Sequence, residues 1–63
     1  MKFLLPGDKV ILLWDDQPEN AEIIGKEVEV VLQTMITPPY WLNVVYAGKE
    51  YSIRGSDTRK VET

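Results

Sequence analysis

Ser52 and Ser56 are the chain's two serines, and Asp15-Asp16-Gln17-Pro18-Glu19-Asn20-Ala21-Glu22 is its densest run of carboxylates. These residue types could do chemistry, the first as nucleophiles and the second as an acid–base or metal-binding set. A serine attacks only when a neighbouring base takes its proton. The 63 residues contain no histidine, and no lysine motif accompanies either serine, so neither has an activating partner. Paired carboxylates work as acid and base only in a cleft that keeps one of them protonated, and so short a chain has little interior from which to build one. The acidic run lacks the Asp-x-Asp-x-Asp-Gly pattern of a calcium loop, and adjacent Asp15 and Asp16 project apart at a strand end. There is no cysteine, which excludes disulfides and thiolate metal sites. The expectation is a non-enzymatic protein without cofactor or metal, its acidic run a solvated loop.

Binding is the chemistry that remains. Trp14, Tyr40, Trp41 and Tyr51 fall at the starts and ends of strand-like runs, and tryptophan is over-represented at interface hot spots. Pro38-Pro39 precedes Tyr40-Trp41 and reads as stiffening for a connection that caps the sheet, since proline lowers the entropy of the unfolded chain. Charge is polarised along the chain. Residues 1–31 carry seven acids and three bases, and residues 32–63 carry three acids and four bases, Lys49, Arg54, Arg59 and Lys60. Those cations, interleaved with aromatics, could make a small platform for single-stranded nucleic acid. The net charge of −3 disfavours that reading, because nucleic-acid binders present strong positive fields. The acidic half suits a basic protein partner instead.

The elements that must position these residues are short strands. Turn signals recur at Pro6-Gly7-Asp8, Asp15 to Asn20, Gly25, Pro38-Pro39, Gly48 and Gly55-Ser56-Asp57, a spacing typical of all-β sandwiches and barrels. Between them lie runs at Lys9 to Trp14, Lys26 to Thr34, Tyr40 to Ala47, Glu50 to Arg54 and Arg59 to Glu62. Period-two alternation places Val10, Leu12, Val28, Val30, Leu32, Leu42, Val44, Tyr46, Tyr51 and Ile53 inward. The opposite parity sends Ile11, Leu13, Val31, Trp41 and Val45 outward. Either these five form an exposed patch of the kind that marks interfaces, or Phe3, Leu4 and Leu5 fold back over them. Ala47-Gly48-Lys49-Glu50 reads as a hairpin with a central Gly-Lys pair in a type II′ turn. Gly55-Ser56-Asp57-Thr58 reads as a tight or single 3₁₀ turn, and Asn20 to Ile23 as a brief helical turn.

The stretches "PGDKVILL", "IIGKEVEVV" and "YSIRGSDTRKVE" together resemble the SH3-like barrels, in particular the KOW-type modules. Gly7-Asp8-Lys9-Val10 matches their Gly-Asp-x-Val opening, and Gly25-Lys26-Glu27-Val28 matches the Gly-x-x-Val element that begins the second strand. The resemblance runs from about Leu5 to Glu62 and implies a five-stranded, highly bent sheet. Members of this class bind proteins, nucleic acid or copies of themselves.

The sequence therefore predicts one all-β domain over residues 1–63, a small five-stranded SH3-like barrel. It would act as a regulatory or accessory protein of the bacterial or phage kind, docking on a protein partner or on itself. The docking residues would be Trp41, Tyr40, Trp14, Ile11, Leu13 and Val45. The alternative is a KOW-like nucleic-acid module using Lys49, Arg54, Arg59 and Lys60. The apolar run after Lys2 stops at Pro6, too soon for a signal peptide, and "VILLW" is far too short to span a bilayer. The expected location is the cytoplasm, with no membrane partner.

Overall fold

Alternation between buried and exposed residues dominates the chain, and strands are the outcome. The computed structural model describes residues 4–62. It contains β1 (Lys9–Leu12), β2 (Glu27–Gln33), β3 (Trp41–Tyr46), β4 (Lys49–Arg54) and β5 (Thr58–Lys60). The four strand ladders are antiparallel, in one sheet of order β4-β3-β2-β1-β5. Two 3₁₀ helices interrupt the strands, Pro18–Ile23 after β1 and Gly55–Asp57 after β4. The all-β, five-stranded fold class is therefore as expected. The sheet is bent and barrel-like but does not close, since β4 and β5 remain its two edges.

The inward parity fills the core with Val10, Leu12, Val28, Val30, Leu42, Val44, Tyr51 and Ile53, and Tyr46 packs partly against it. Full burial of such a side chain stabilises by about 1.5–3 kcal/mol. Leu4 and Ile23 complete the core from outside the strands. Leu4 folds back, but into the inward core rather than over the outward set as one reading required; Leu5, Leu13 and Val31 stay exposed. Phe3 lies outside the described residues.

Two expectations fail locally. Leu32 is 51% exposed rather than inward. The β2–β3 register shifts between Val30 and Leu32, so that Leu32 sits opposite Asn43 and Gln33 opposite Leu42. Val31 is thus an extra residue in β2, a bulge that turns the parity over for everything after it. The β3–β4 turn also lies one residue earlier than expected. Tyr46 pairs with Lys49, which leaves Ala47-Gly48 as the loop, with φ of 52° and 80°. Positive φ at both positions is a type I′ turn, whose twist matches the flanking strands.

Candidate functional site

The connection from β1 to β2 is long, and polar side chains hold it across the edge of β4. Leu13 N–H donates to the Asp57 carbonyl at 2.8 Å. Asp15 then closes an Asx-type turn, its Oδ1 accepting from Gln17 N–H at 2.7 Å and its Oδ2 from Asn20 Nδ2 at 3.2 Å. Pro18 at the start of the 3₁₀ helix loses nothing, because an amide there lacks an intrahelical partner anyway. Buried Asn20 also donates from Nδ2 to the Ser52 carbonyl at 2.9 Å. Asp16 Oδ1 accepts from Arg54 Nη1 at 3.0 Å, and Glu22 Oε2 accepts from Lys49 Nζ at 3.3 Å and from the Tyr51 hydroxyl.

These contacts set the local electrostatics. The hydrogen bond from Arg54 holds the Asp16 carboxyl below the usual carboxylate range, with the charge of Arg54 assisting. Glu22 is held low first by the Tyr51 hydroxyl and then by Lys49. In return the Glu22 carboxylate pushes the Tyr51 phenol up to about 12. The acidic run is therefore not the freely solvated loop expected from the sequence: Asp15 is buried and Asp16 and Glu22 are paired. Local reading missed this because the partners come from β4, far along the chain.

Arg54 is the point where three segments meet. Its guanidinium carbon lies 5.4 Å from the ring centroid of its cross-strand neighbour Trp41, within cation–π range. Arg54 Nη1 also lies 3.8 Å from Asp57 Oδ2. Residues 37–40 dock on the following 3₁₀ turn. Tyr40 N–H donates to Thr37 O, Gly55 N–H to Tyr40 O at 2.9 Å, and Ser56 N–H to Pro39 O at 3.0 Å. Pro38-Pro39 is a cis peptide, and Tyr40 has a φ of 61°. Gly55 is required at this contact, because a Cβ there would lie 2.5 Å from the Tyr40 oxygen.

Of the residues predicted to dock a partner, Leu13 and Trp14 are each 56% exposed, on the segment tied to Asp57 by Leu13 and to Arg54 by Asp16. Tyr40 and Trp41 are half-buried beside the same cluster. Half-buried Ile11 and Val45 lie elsewhere on the sheet. Ile11 sits between Arg59 and Glu27, and Val45 between Glu29 and Glu50. Charged neighbours therefore separate these two from each other, and Asn43 stands between Val45 and Trp41 along β3. Of the four cations, Lys49, Arg54 and Lys60 each lie within ion-pair distance of an acid, Lys60 at 3.9 Å from Asp8. Arg59 has no acidic partner among the described residues.

Exposed Leu5, Leu32, Met35 and Ile36 were not anticipated. Leu4 N–H donates to Gln33 Oε1 and Gln33 Nε2 to Met35 O, so these residues gather near the end of β2. Met35 and Ile36 lie outside any strand, where alternation has no meaning. Among the described residues no cluster of carboxylates could hold a metal, and no helix is long and apolar enough to cross a membrane.

The fold and surface define a class, a small all-β protein with one antiparallel sheet and a strapped edge. No protein-family model, curated protein or solved structure matches the chain.

Proposed function

We propose that the chain is a non-enzymatic protein-interaction module of the SH3-like type, acting in the cytoplasm as a small regulatory or accessory protein. Its docking surface is the region around Arg54, with Leu13 and Trp14 as the main contacts and Tyr40 and Trp41 beside them. The observation that carries this reading is the exposure of Leu13 and Trp14 on backbone that is already fixed. Leu13 is bonded to Asp57, and Asp15 locks the residues that follow. Apolar side chains presented on pre-ordered backbone bind at low entropic cost. The strap carries Asp15, Asp16, Glu19 and Glu22 and no base between residues 13 and 24; Arg54 and Lys49 offset Asp16 and Glu22, and the negative charge that remains steers a partner bearing basic residues.

The nucleic-acid reading has less support, because Lys49 and Arg54 neutralise strap acids and are poorly placed to release counterions from phosphate. The test compares wild type, Trp14→Ala and Ile36→Ala as baits. A hot-spot tryptophan contributes about 2 kcal/mol or more. Trp14→Ala should therefore lose the partner that wild type and Ile36→Ala retain, with an unchanged far-UV circular dichroism spectrum. A partner that survives Trp14→Ala on an intact fold refutes the assignment.

A further inference from the structure

The two edges of the sheet are treated differently. In the hairpin closed by Tyr46 and Lys49, ladder alternation turns the backbone groups of Glu50, Ser52 and Arg54 away from β3. Asn20 bonds the Ser52 carbonyl there, and Asp16 and Glu22 anchor the strap on either side. The strap thus runs along the β4 edge and caps its Ser52 carbonyl.

On the β5 edge, no hydrogen bond among the described residues reaches the backbone of Lys60. Leu13 N–H bonds Asp57 O and Val61 N–H bonds Lys9 O, with Ile11 opposite Arg59 midway. The odd-numbered residues of this stretch therefore direct their backbone groups to β1, and Lys60 directs its N–H and C=O outward. Beside it an open cleft of ≈ 350 Å³ is lined by Ile11, Arg59, Lys60, Val61 and Glu62. Half-buried Ile11 and Val61 supply apolar lining, and Arg59 and Lys60 are exposed cations.

We propose that the β5 edge is a second docking surface, separate from the Arg54 region, that takes an extended acidic peptide segment by strand addition. Strand addition needs an open edge for main-chain bonds and pockets for alternate side chains. Lys60 offers the first and the cleft over Ile11 and Val61 the second. The cations set the charge of the occupant, an aliphatic residue flanked by Asp or Glu. Arg59 is the stronger determinant, because Asp8 already lies 3.9 Å from Lys60. Glu62 opposes the acidic residue and limits affinity.

The probe is an octapeptide of alternating Val and Glu, titrated into the ¹⁵N-labelled protein. The expected result is amide shifts at Ile11, Arg59, Lys60 and Val61, with new exchange protection at the Lys60 amide. Lys60→Pro deletes an N–H that does not bond β1, a position where edge strands accept proline. It should weaken the peptide about tenfold, an ordinary hydrogen bond's worth. Arg59→Glu keeps the backbone and should also weaken it, whereas Glu62→Gln should tighten it roughly threefold, as for an exposed charge pair. These opposed effects test the proposal even if the proline variant misfolds. Four results would each overturn it: no binding at millimolar peptide, shifts centred on Trp14 and Trp41, equal affinity for a Val-Lys octapeptide, or displacement of the peptide by oligothymidylate at lower concentration than by unlabelled peptide.

Discussion

Gly55→Ala isolates the contact that joins the Thr37–Tyr40 turn to the rest of the sheet. Gly55 N–H donates to the Tyr40 carbonyl at 2.9 Å. A Cβ added at Gly55 would lie 2.5 Å from that oxygen and 3.0 Å from the Tyr40 Cβ. Neither is the tip of a flexible side chain, so the backbone of one turn must move. Forcing a methyl into a packed site costs about 1–3 kcal/mol, and losing the hydrogen bond adds about 1 kcal/mol. A domain of this size has a margin of only about 3–5 kcal/mol, and each kcal/mol is worth about 4–8 °C in Tm. The variant should therefore melt about 8–30 °C below wild type, followed by circular dichroism. Gly48→Ala is the control. Its Cβ would meet nothing within 4 Å, but its φ is 80°, so it costs only the left-handed penalty of about 1–2 kcal/mol. A Gly55→Ala protein that melts within about 2 °C of wild type, or above Gly48→Ala, would refute the steric reasoning.

Asn20→Ala removes the donor to both Asp15 and the Ser52 carbonyl from a site 2% exposed. Urea denaturation should show a loss of about 2 kcal/mol, with strap amides exchanging faster than those of β3. Replacing Ala47, at a φ of 52°, with Asn gives the Asn-Gly pair favoured in type I′ turns. Ala47→Asn should raise stability by about 0.5–1 kcal/mol in the same assay. Stability should fall at both ends of the pH range. Asp16 and Glu22 have carboxyls lowered on folding, so their contribution is present above their unfolded values and is lost as pH drops through the folded ones. Asp16→Asn with Glu22→Gln should flatten that acid arm of a pH–Tm curve. Tyr51 is raised from 10.0 to about 12, so its contribution is complete below pH 10 and disappears as pH rises through about 12. Tyr51→Phe should remove that part of the alkaline loss.

Much of the sheet was legible from alternation, because a residue's face depends on counting by two. Val28 and Val30, Leu42 and Val44, and Tyr51 and Ile53 all lie inward as the count requires. The count broke at Leu32, where one extra residue reversed the faces, and no residue type at Val31 announces a bulge. The turn at Ala47-Gly48 was misplaced because glycine supplies only one of its two positive φ values and alanine is an unusual host for the other. The strap was illegible for a different reason. Its acids read locally as a solvated run, and their partners Arg54, Lys49 and Tyr51 become visible only once the sheet brings β4 alongside. Sequence alone left open whether the Trp14 side chain turned inward or lay at the rim, and it is exposed.

The pairing of Val10 with Lys60 also dictates an order of assembly. The β3–β4 hairpin closes over a two-residue loop and can zip within microseconds, but β1 gains its second neighbour only when the far end of the chain arrives, and contacts of such sequence separation form slowly. During synthesis on a ribosome, β1 must wait half-dressed until Thr58 to Lys60 has left the exit tunnel. The native sheet is therefore completed after translation of its last strand, and until then Val10 to Leu12 is the segment most open to chaperones or to pairing with a neighbouring nascent chain.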